Sequence, residues 1–169
     1  MLTNNYYLIQ EHYAVKGYTT TVEQPIAGTK STDGQEYHFF GGASWGQGTN
    51  LNGSPRAGLS IVLGEGNTAP ALTDYCLEDD VTSSLNLSCV VNTGSDGGAL
   101  KTVLTVSGIN TTGSEITIKE FGIVKSCVLY SNSYMYQSKP FLYARELLRT
   151  PKVVGAGEPF TLTFEWSGS

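Results

Sequence analysis

Short runs in which apolar and polar residues alternate recur along the chain from Leu59 onward. In the clearest one, residues 160–166, every second residue is apolar, which predicts a β-strand with one face in a core. Seven such runs, separated by turn-rich gaps, cover residues 59–63, 85–91, 100–106, 115–124, 126–130, 141–148 and 160–166. They predict an all-β fold, an antiparallel β-sandwich of jelly-roll or Ig-like type.

Local interruptions of the pattern refine this plan. The alternation of Ile116 and Ile118 with polar residues changes phase at Phe121, which predicts a β-bulge near Glu120. Residues 107–114 are polar and rich in turn formers, so they are expected to connect two strands as a hairpin. Little helix is expected, and the one place where the pattern allows a helix is residues 73–81, with Asp74 as the candidate N-cap.

The leading segment, residues 1–57, has a different texture. It is rich in Tyr, Thr, Gly and Asn, and it lacks the aliphatic periodicity of a self-sufficient core. Its rings need another surface, either the rest of the domain or a neighbouring subunit. We predict an extended, loop-rich N-terminal arm over residues 1–57 that makes inter-subunit contacts, followed by a β-sandwich domain over 58–169. The ring residues expected at the interface are Tyr6, Tyr7, Tyr13, Tyr18, Phe39, Phe40 and Trp45.

Composition narrows the classes of partner. The 169 residues fit one domain, and a charged fraction of 15% with 20 glycines is typical of β proteins with many turns. A net charge of −5 disfavours nucleic acid and anionic membranes, which are bound by clustered Lys and Arg. The N-terminus lacks the pattern of a signal peptide and no run is apolar enough to span a bilayer, so synthesis and folding in a cytoplasm are expected.

The three cysteines leave two interpretations open. Cys76, Cys89 and Cys127 are widely spaced, which excludes the CxxC pairs of a zinc ribbon and the dense pattern of a small disulfide scaffold. They fit reduced cysteines packed as small apolar residues. The alternative is a disulfide from Cys76 to another subunit.

No catalytic residue, metal site or cofactor is predicted. The histidines, His12 and His38, both lie in the leading segment, and no GxSxG motif accompanies a serine. The acidic run at residues 78–80 lacks the spaced ligands of a calcium loop, so its carboxylates are expected to be solvated. A carboxylate pair of glycosidase type cannot be placed from sequence, because its definition is a distance in space.

A second group of rings follows the fifth strand run. Tyr134, Met135 and Tyr136 lie in a loop, and tyrosines there offer contact area at a small entropic cost. The loop is either an exposed recognition tip or an anchor onto the domain. With Trp45, the tyrosines would form a stacking platform for sugar rings.

Three stretches resemble a β domain that recurs in virion proteins of tailed bacteriophages. They are residues 63–78 (LGEGNTAPALTDYCLE), residues 106–123 (VSGINTTGSEITIKEFGI) and residues 142–148 (LYARELL) followed by 153–164 (VVGAGEPFTLTF). Their order and spacing carry the resemblance, which covers about the last two-thirds of the chain. Residues 1–57 are outside it.

The resemblance implies a non-enzymatic structural component of a virion. Such a protein would assemble as a homo-oligomer on the capsid surface or in the neck or tail, in contact with major capsid or tail proteins. Glu120 and Arg145, both within the resembling stretches, are the candidates for a structural ion pair. The alternative function is a carbohydrate-binding module that recognises host surface glycan through Trp45, Tyr134 and Tyr136.

Overall fold

Antiparallel strands dominate the structure. A computed structural model describes residues 1–9, 29–35, 59–96, 99–130 and 136–167. The strands are β1 (Leu59–Gly64), β2 (Leu85–Asp96), β3 (Ala99–Asn110), β4 (Ile116–Tyr130), β5 (Tyr136–Val154) and β6 (Pro159–Ser167). Residues 4–9 are α-helical, and Thr82–Ser84 form a 3-10 helix. The predicted all-β class is confirmed.

The strands form two three-stranded sheets, in the orders β1-β4-β5 and β2-β3-β6. One hydrophobic cluster takes buried side chains from both sheets, among them Leu63, Val106 and Phe160. The ring of Phe121 in the first sheet lies 4.1 Å, between centroids, from the ring of Phe164 in the second. The sheets therefore share one core, while the β-sandwich of jelly-roll or Ig-like type stays a prediction.

The predicted runs lie within strands, apart from Glu115, but β2, β3 and β5 extend beyond the runs that predicted them. The runs 115–124 and 126–130 merge into a single strand, β4, because Lys125 pairs with Leu59 on one side and Phe141 on the other. The bulge predicted near Glu120 is confirmed by a register shift between Ile118 and Glu120. In β6 the alternation holds from residue 160 to 164: Phe160 is buried, Leu162 and Phe164 are half-buried, and Thr161 and Thr163 are exposed.

The predicted hairpin at residues 107–114 is wrong. It connects β3 to β4, and these strands belong to different sheets. The buried side chain of Asn110 holds this crossing, because its amide nitrogen donates to the carbonyls of Ser114 at 2.8 Å and Val154 at 3.1 Å. Its amide oxygen accepts the N–H of Thr112 at 2.9 Å. Local turn chemistry was read correctly, but it does not specify which sheet the next strand joins.

The predicted helix at residues 73–81 does not form. The connection from β1 to β2 is irregular there, although Asp74 does accept a local backbone bond from Ala71 at 2.9 Å. The N–H groups of Glu78 and Asp79 bond to the side chain of Glu120 on β4 instead of to helical carbonyls. A tertiary partner has replaced the intrahelical hydrogen bonds.

Candidate functional site

A buried guanidinium joins β5 to three carboxylates. Arg145 is 3% exposed, and its Nε donates to Glu120 Oε2 at 2.6 Å. Its Nη1 donates to Asp74 Oδ2 at 2.8 Å, and its Nη2 lies 3.7 Å from Glu78 Oε2. We call these four residues the Arg145 cluster. The structure thus brings together Glu120 and Arg145, the two residues selected from the sequence as an ion pair.

Glu120 is the most enclosed carboxylate of the cluster. Its side chain has no exposed surface, and its second oxygen, Oε1, accepts the backbone N–H groups of Glu78 at 3.0 Å and Asp79 at 3.2 Å. A buried carboxylate is tolerated when both oxygens have charged or polar donors. Glu120 therefore fastens the connection between β1 and β2 onto the first sheet.

Glu78 extends the cluster to the surface. Its Oε1 accepts the hydroxyl of Thr68 at 2.6 Å, and its Oε2 accepts the N–H groups of Asn67 and Thr68, each at 2.9 Å. The hydroxyl and N–H of Thr68, with a smaller effect from Asn67, hold the pKa of Glu78 below its usual range. The ionised carboxylate closes the loop at residues 65–78.

Charge balance keeps Arg145 ionised in the interior. Burial alone lowers the pKa of a guanidinium, but the hydrogen bonds and charges of Asp74 and Glu120 outweigh burial and raise the pKa of Arg145 above its usual value. Arginine suits this position because its planar head offers donors in several directions at once. A lysine would offer one charged point.

Glycine is required where the loop passes over Glu120. A Cβ placed on Gly64 would lie 2.5 Å from Glu120 Oε1 and 2.6 Å from the carbonyl oxygen of Asp79. A Cβ on Gly66 would lie 2.5 Å from the Cβ of Glu78. The two glycines of the Gly-Glu-Gly sequence therefore allow close approach of backbone to a carboxylate.

The Arg145 cluster takes residues from all three stretches on which the predicted resemblance depends. Asp74 and Glu78 come from the first, Glu120 from the second and Arg145 from the third. Sequence reasoning missed Asp74 as a cluster member, since it was interpreted as a helix cap, and it took Glu78 for a solvated acid. Their presence in a resembling stretch was the available signal. The carboxylate oxygens of the cluster accept hydrogen bonds from groups of the same chain. This arrangement positions the backbone of the connection between β1 and β2.

The described part of the leading segment rests on the same domain. Thr3 donates its N–H to the carbonyl of Tyr143 at 2.9 Å and its hydroxyl to that of Leu142 at 2.6 Å. The ring of Tyr6 meets the ring of Tyr143 edge to face, with centroids 5.7 Å apart, and Ile9 is fully buried. The surface that these first residues occupy is therefore β5 of their own chain.

The other predicted interface and recognition residues have different positions. Tyr7 packs edge-on against Tyr6 and is 52% exposed. Tyr136 begins β5 and pairs with Tyr130, and its side chain is outside the description. The residues that lie wholly outside the described ranges are Tyr13, Tyr18, Phe39, Phe40, Trp45, Tyr134 and Met135. Their predicted roles, and the arm boundary at residue 57, stay predictions.

Two described thiols are partly buried. Burial, and next the charge of Asp74, raises the pKa of Cys76, and burial raises the pKa of Cys89. A raised pKa lowers the thiolate fraction and with it the rate of oxidation. The intermolecular disulfide through Cys76 stays a prediction.

An open cleft of about 670 Å³ lies between β5 and β6. Its lining combines apolar and charged side chains, and includes Phe121, Leu148, Arg149, Leu162, Phe164 and Glu165. β5 and β6 are edge strands of their respective sheets. The cleft is thus bordered by two strand edges, a geometry suited to an extended polypeptide.

Comparison with known proteins yields no match to a family model, to a curated protein or to a solved structure. Within the described residues, no group of three or more His, Cys, Asp or Glu side chains is arranged to hold a metal ion. Over the same ranges, no helix combines the length and apolar character that crossing a membrane requires.

Proposed function

We propose that this chain is a non-enzymatic structural protein of a tailed-bacteriophage particle. It assembles as a homo-oligomer on the capsid surface or in the neck or tail, in contact with other virion proteins. The observation that supports this function is the Arg145 cluster. Its members come from each of the three stretches that resemble virion β domains, so the resembling residues form a single contact network.

The network explains why these stretches would recur together. Asp74, Glu120 and Arg145 are far apart in sequence, and Arg145 donates a hydrogen bond to each of the two carboxylates. Asn110, also inside a resembling stretch, ties the β3–β4 crossing to the end of β5. Asn110 joins the two sheets, and the Arg145 cluster joins the connection between β1 and β2 to the first sheet. Residues that hold a fold together in this way are expected to recur in domains of the same fold, which supports a resemblance in fold.

The chemistry of the cluster favours a mechanical role. Glu120 has no exposed surface and Arg145 is held by carboxylates, so neither can reach a substrate from solvent. A general acid or base must lie within hydrogen-bond reach of the substrate. Rigid positioning of a surface loop is what the cluster provides.

The test is to locate the chain in purified particles. Antibodies against the recombinant protein should label intact virions from the source lysate, and light scattering of the purified protein should show a mass above that of the monomer. Absence from particles, together with a monomer at every concentration, would reject the proposal. Specific binding on a glycan array in that case would favour the carbohydrate-binding alternative.

The predicted arm contact needs a variant that leaves the fold intact. Tyr7→Ser removes a half-exposed ring whose described aromatic contact is Tyr6. Val153→Ser is the matched control, because Val153 is equally exposed but lies on β5 outside the arm. Reduced incorporation into particles for the first variant alone supports an inter-subunit role of Tyr7, and equal incorporation of both contradicts it.

A further inference from the structure

Part of each edge of the first sheet is covered by the chain itself. On β1, the carbonyl of Leu63 accepts the N–H of Val81 at 2.9 Å, and its N–H donates to the hydroxyl of Thr82 at 2.9 Å. On β5, the N–H groups of Thr3 and Thr32 donate to the carbonyls of Tyr143 and Pro140, and the N–H of Arg145 donates to the carbonyl of Met1. Covered edges cannot accept another strand.

The edge at β6 carries no such cover in the described structure. β6 pairs with β3 alone. The N–H of Asn110 donates to the carbonyl of Glu158 at 3.0 Å. Along an antiparallel strand, residues that bond to the partner strand alternate with residues whose backbone groups point away from it. The backbone groups of Thr161, Thr163 and Glu165 therefore point away from β3. Their N–H and C=O groups form a row open to a partner strand.

β6 also lacks the devices that discourage pairing. It has no lysine and no register shift, and its proline, Pro159, stands at its first position. Glu165 is its single charged residue, and Lys101 on β3 neutralises it at 3.1 Å. The cleft between β5 and β6 lies directly beside this edge, and it leaves the side chains of Leu162 and Phe164 partly exposed.

We propose that β6 pairs with β6 of a second copy of this chain, antiparallel about a two-fold axis at Thr163. This deepens the proposed function, on which it rests, by assigning the surface of self-assembly. In this register Thr163 faces Thr163, Thr161 faces Glu165 and Leu162 faces Phe164 of the second copy. Like charges are kept apart and apolar residues share one face. The pairing forms about six backbone hydrogen bonds.

The cleft explains why β6 is used and not the other open edge, β2. A strand added beside β6 continues the second sheet, so its inward side chains lie over the cleft. Leu162 and Phe164 of the second copy then cover Leu148 and Phe121 of the first. By symmetry, both clefts are covered in one dimer. The residues that line the cleft come from β4, β5 and β6, and none belongs to β2.

The decisive comparison uses two threonines with the same backbone environment. Thr163→Pro removes an outward N–H from β6 and leaves the ladder to β3 intact. Thr93→Pro does the same on β2. The N–H of Thr111 donates to the carbonyl of Ser84, and the alternation counted along β2 from that bond places the N–H of Thr93 on the side away from β3. Light scattering should show half the wild-type mass for T163P and the full mass for T93P. A full mass for T163P, or halving by both, overturns the proposal.

Two variants of opposite charge at residue 163 test the same pairing if T163P does not fold. Thr163→Lys places two lysines opposite each other at the two-fold axis, and Thr163→Glu places two glutamates there, so each variant should be a monomer. An equal mixture should recover the dimer mass and lose it in high salt. No recovery refutes the register. A wild-type monomer would instead reject the proposed self-assembly, whereas assembly of every variant rejects this edge alone.

Discussion

Replacing Arg145 by methionine tests the cluster most directly. Methionine keeps most of the length and apolar stem of the side chain and removes its charge and its donors. Glu120 then keeps only the N–H groups of Glu78 and Asp79, both on Oε1, while Oε2 loses its donor. A fully buried carboxylate is left without a cation.

The magnitude follows from that burial. Removing one partner of a buried ion pair costs about 3–5 kcal/mol, because the remaining charge stays desolvated. A domain of this kind has a total stability of about 5–15 kcal/mol. Asp74 is more exposed than Glu120, so the loss of its bond to Arg145 adds little. We expect Arg145→Met to lower the free energy of unfolding by about 3–5 kcal/mol.

Urea denaturation followed by far-UV circular dichroism measures this difference. The control is the double variant Arg145→Met/Glu120→Gln, in which the stranded charge is also removed. It should be about 1–3 kcal/mol more stable than Arg145→Met alone, since a neutral amide can still accept the backbone N–H groups. A loss below about 1 kcal/mol for the single variant, or no recovery in the double variant, would refute the argument.

Three further predictions concern the loop and the crossing between sheets. Gly64→Ala should cost about 1–3 kcal/mol because its Cβ would meet Glu120, whereas Gly113→Ala, with open space around it, should stay within about 0.5 kcal/mol in the same urea assay. Asn110→Asp should cost about 1–3 kcal/mol because carboxylate oxygens would face carbonyls that now receive N–H bonds, and a melting temperature equal to wild type would contradict it. The pKa of Glu78 is lowered from its ordinary value of 4.5, so its contribution is complete above that pH and is lost as the pH falls through the lowered value. Wild type should therefore lose stability relative to Glu78→Gln in acid, and parallel pH profiles would exclude this linkage.

The proposals have separate points of failure. Arg145→Met tests the framework within one subunit, whereas Thr163→Pro tests pairing between subunits and leaves the cluster intact. A stable T163P monomer that no longer enters particles would connect β6 pairing to assembly. The two variants therefore separate folding from self-association.

The strand plan was readable from the sequence because its signal is local. Side chains alternate across a strand with a period of two, so residues 160–166 reveal a half-buried strand without any knowledge of its partner. The change of phase before Phe121 likewise marked the bulge near Glu120. The candidate pair Glu120 and Arg145 was found through resemblance, since nothing in the spacing of the two residues implies contact.

Only the tertiary structure decided how those strands combine. β3 and β4 follow each other along the chain yet join different sheets, because their partners are distant strands. Asp74 changed from an expected helix cap to a ligand of Arg145, 71 residues further along the chain. Such contacts depend on which segments meet across the core, and short-range patterns of polarity do not encode that choice. The alternation of residues determined the strands, and tertiary packing determined the cluster, the cleft and the open edge at β6.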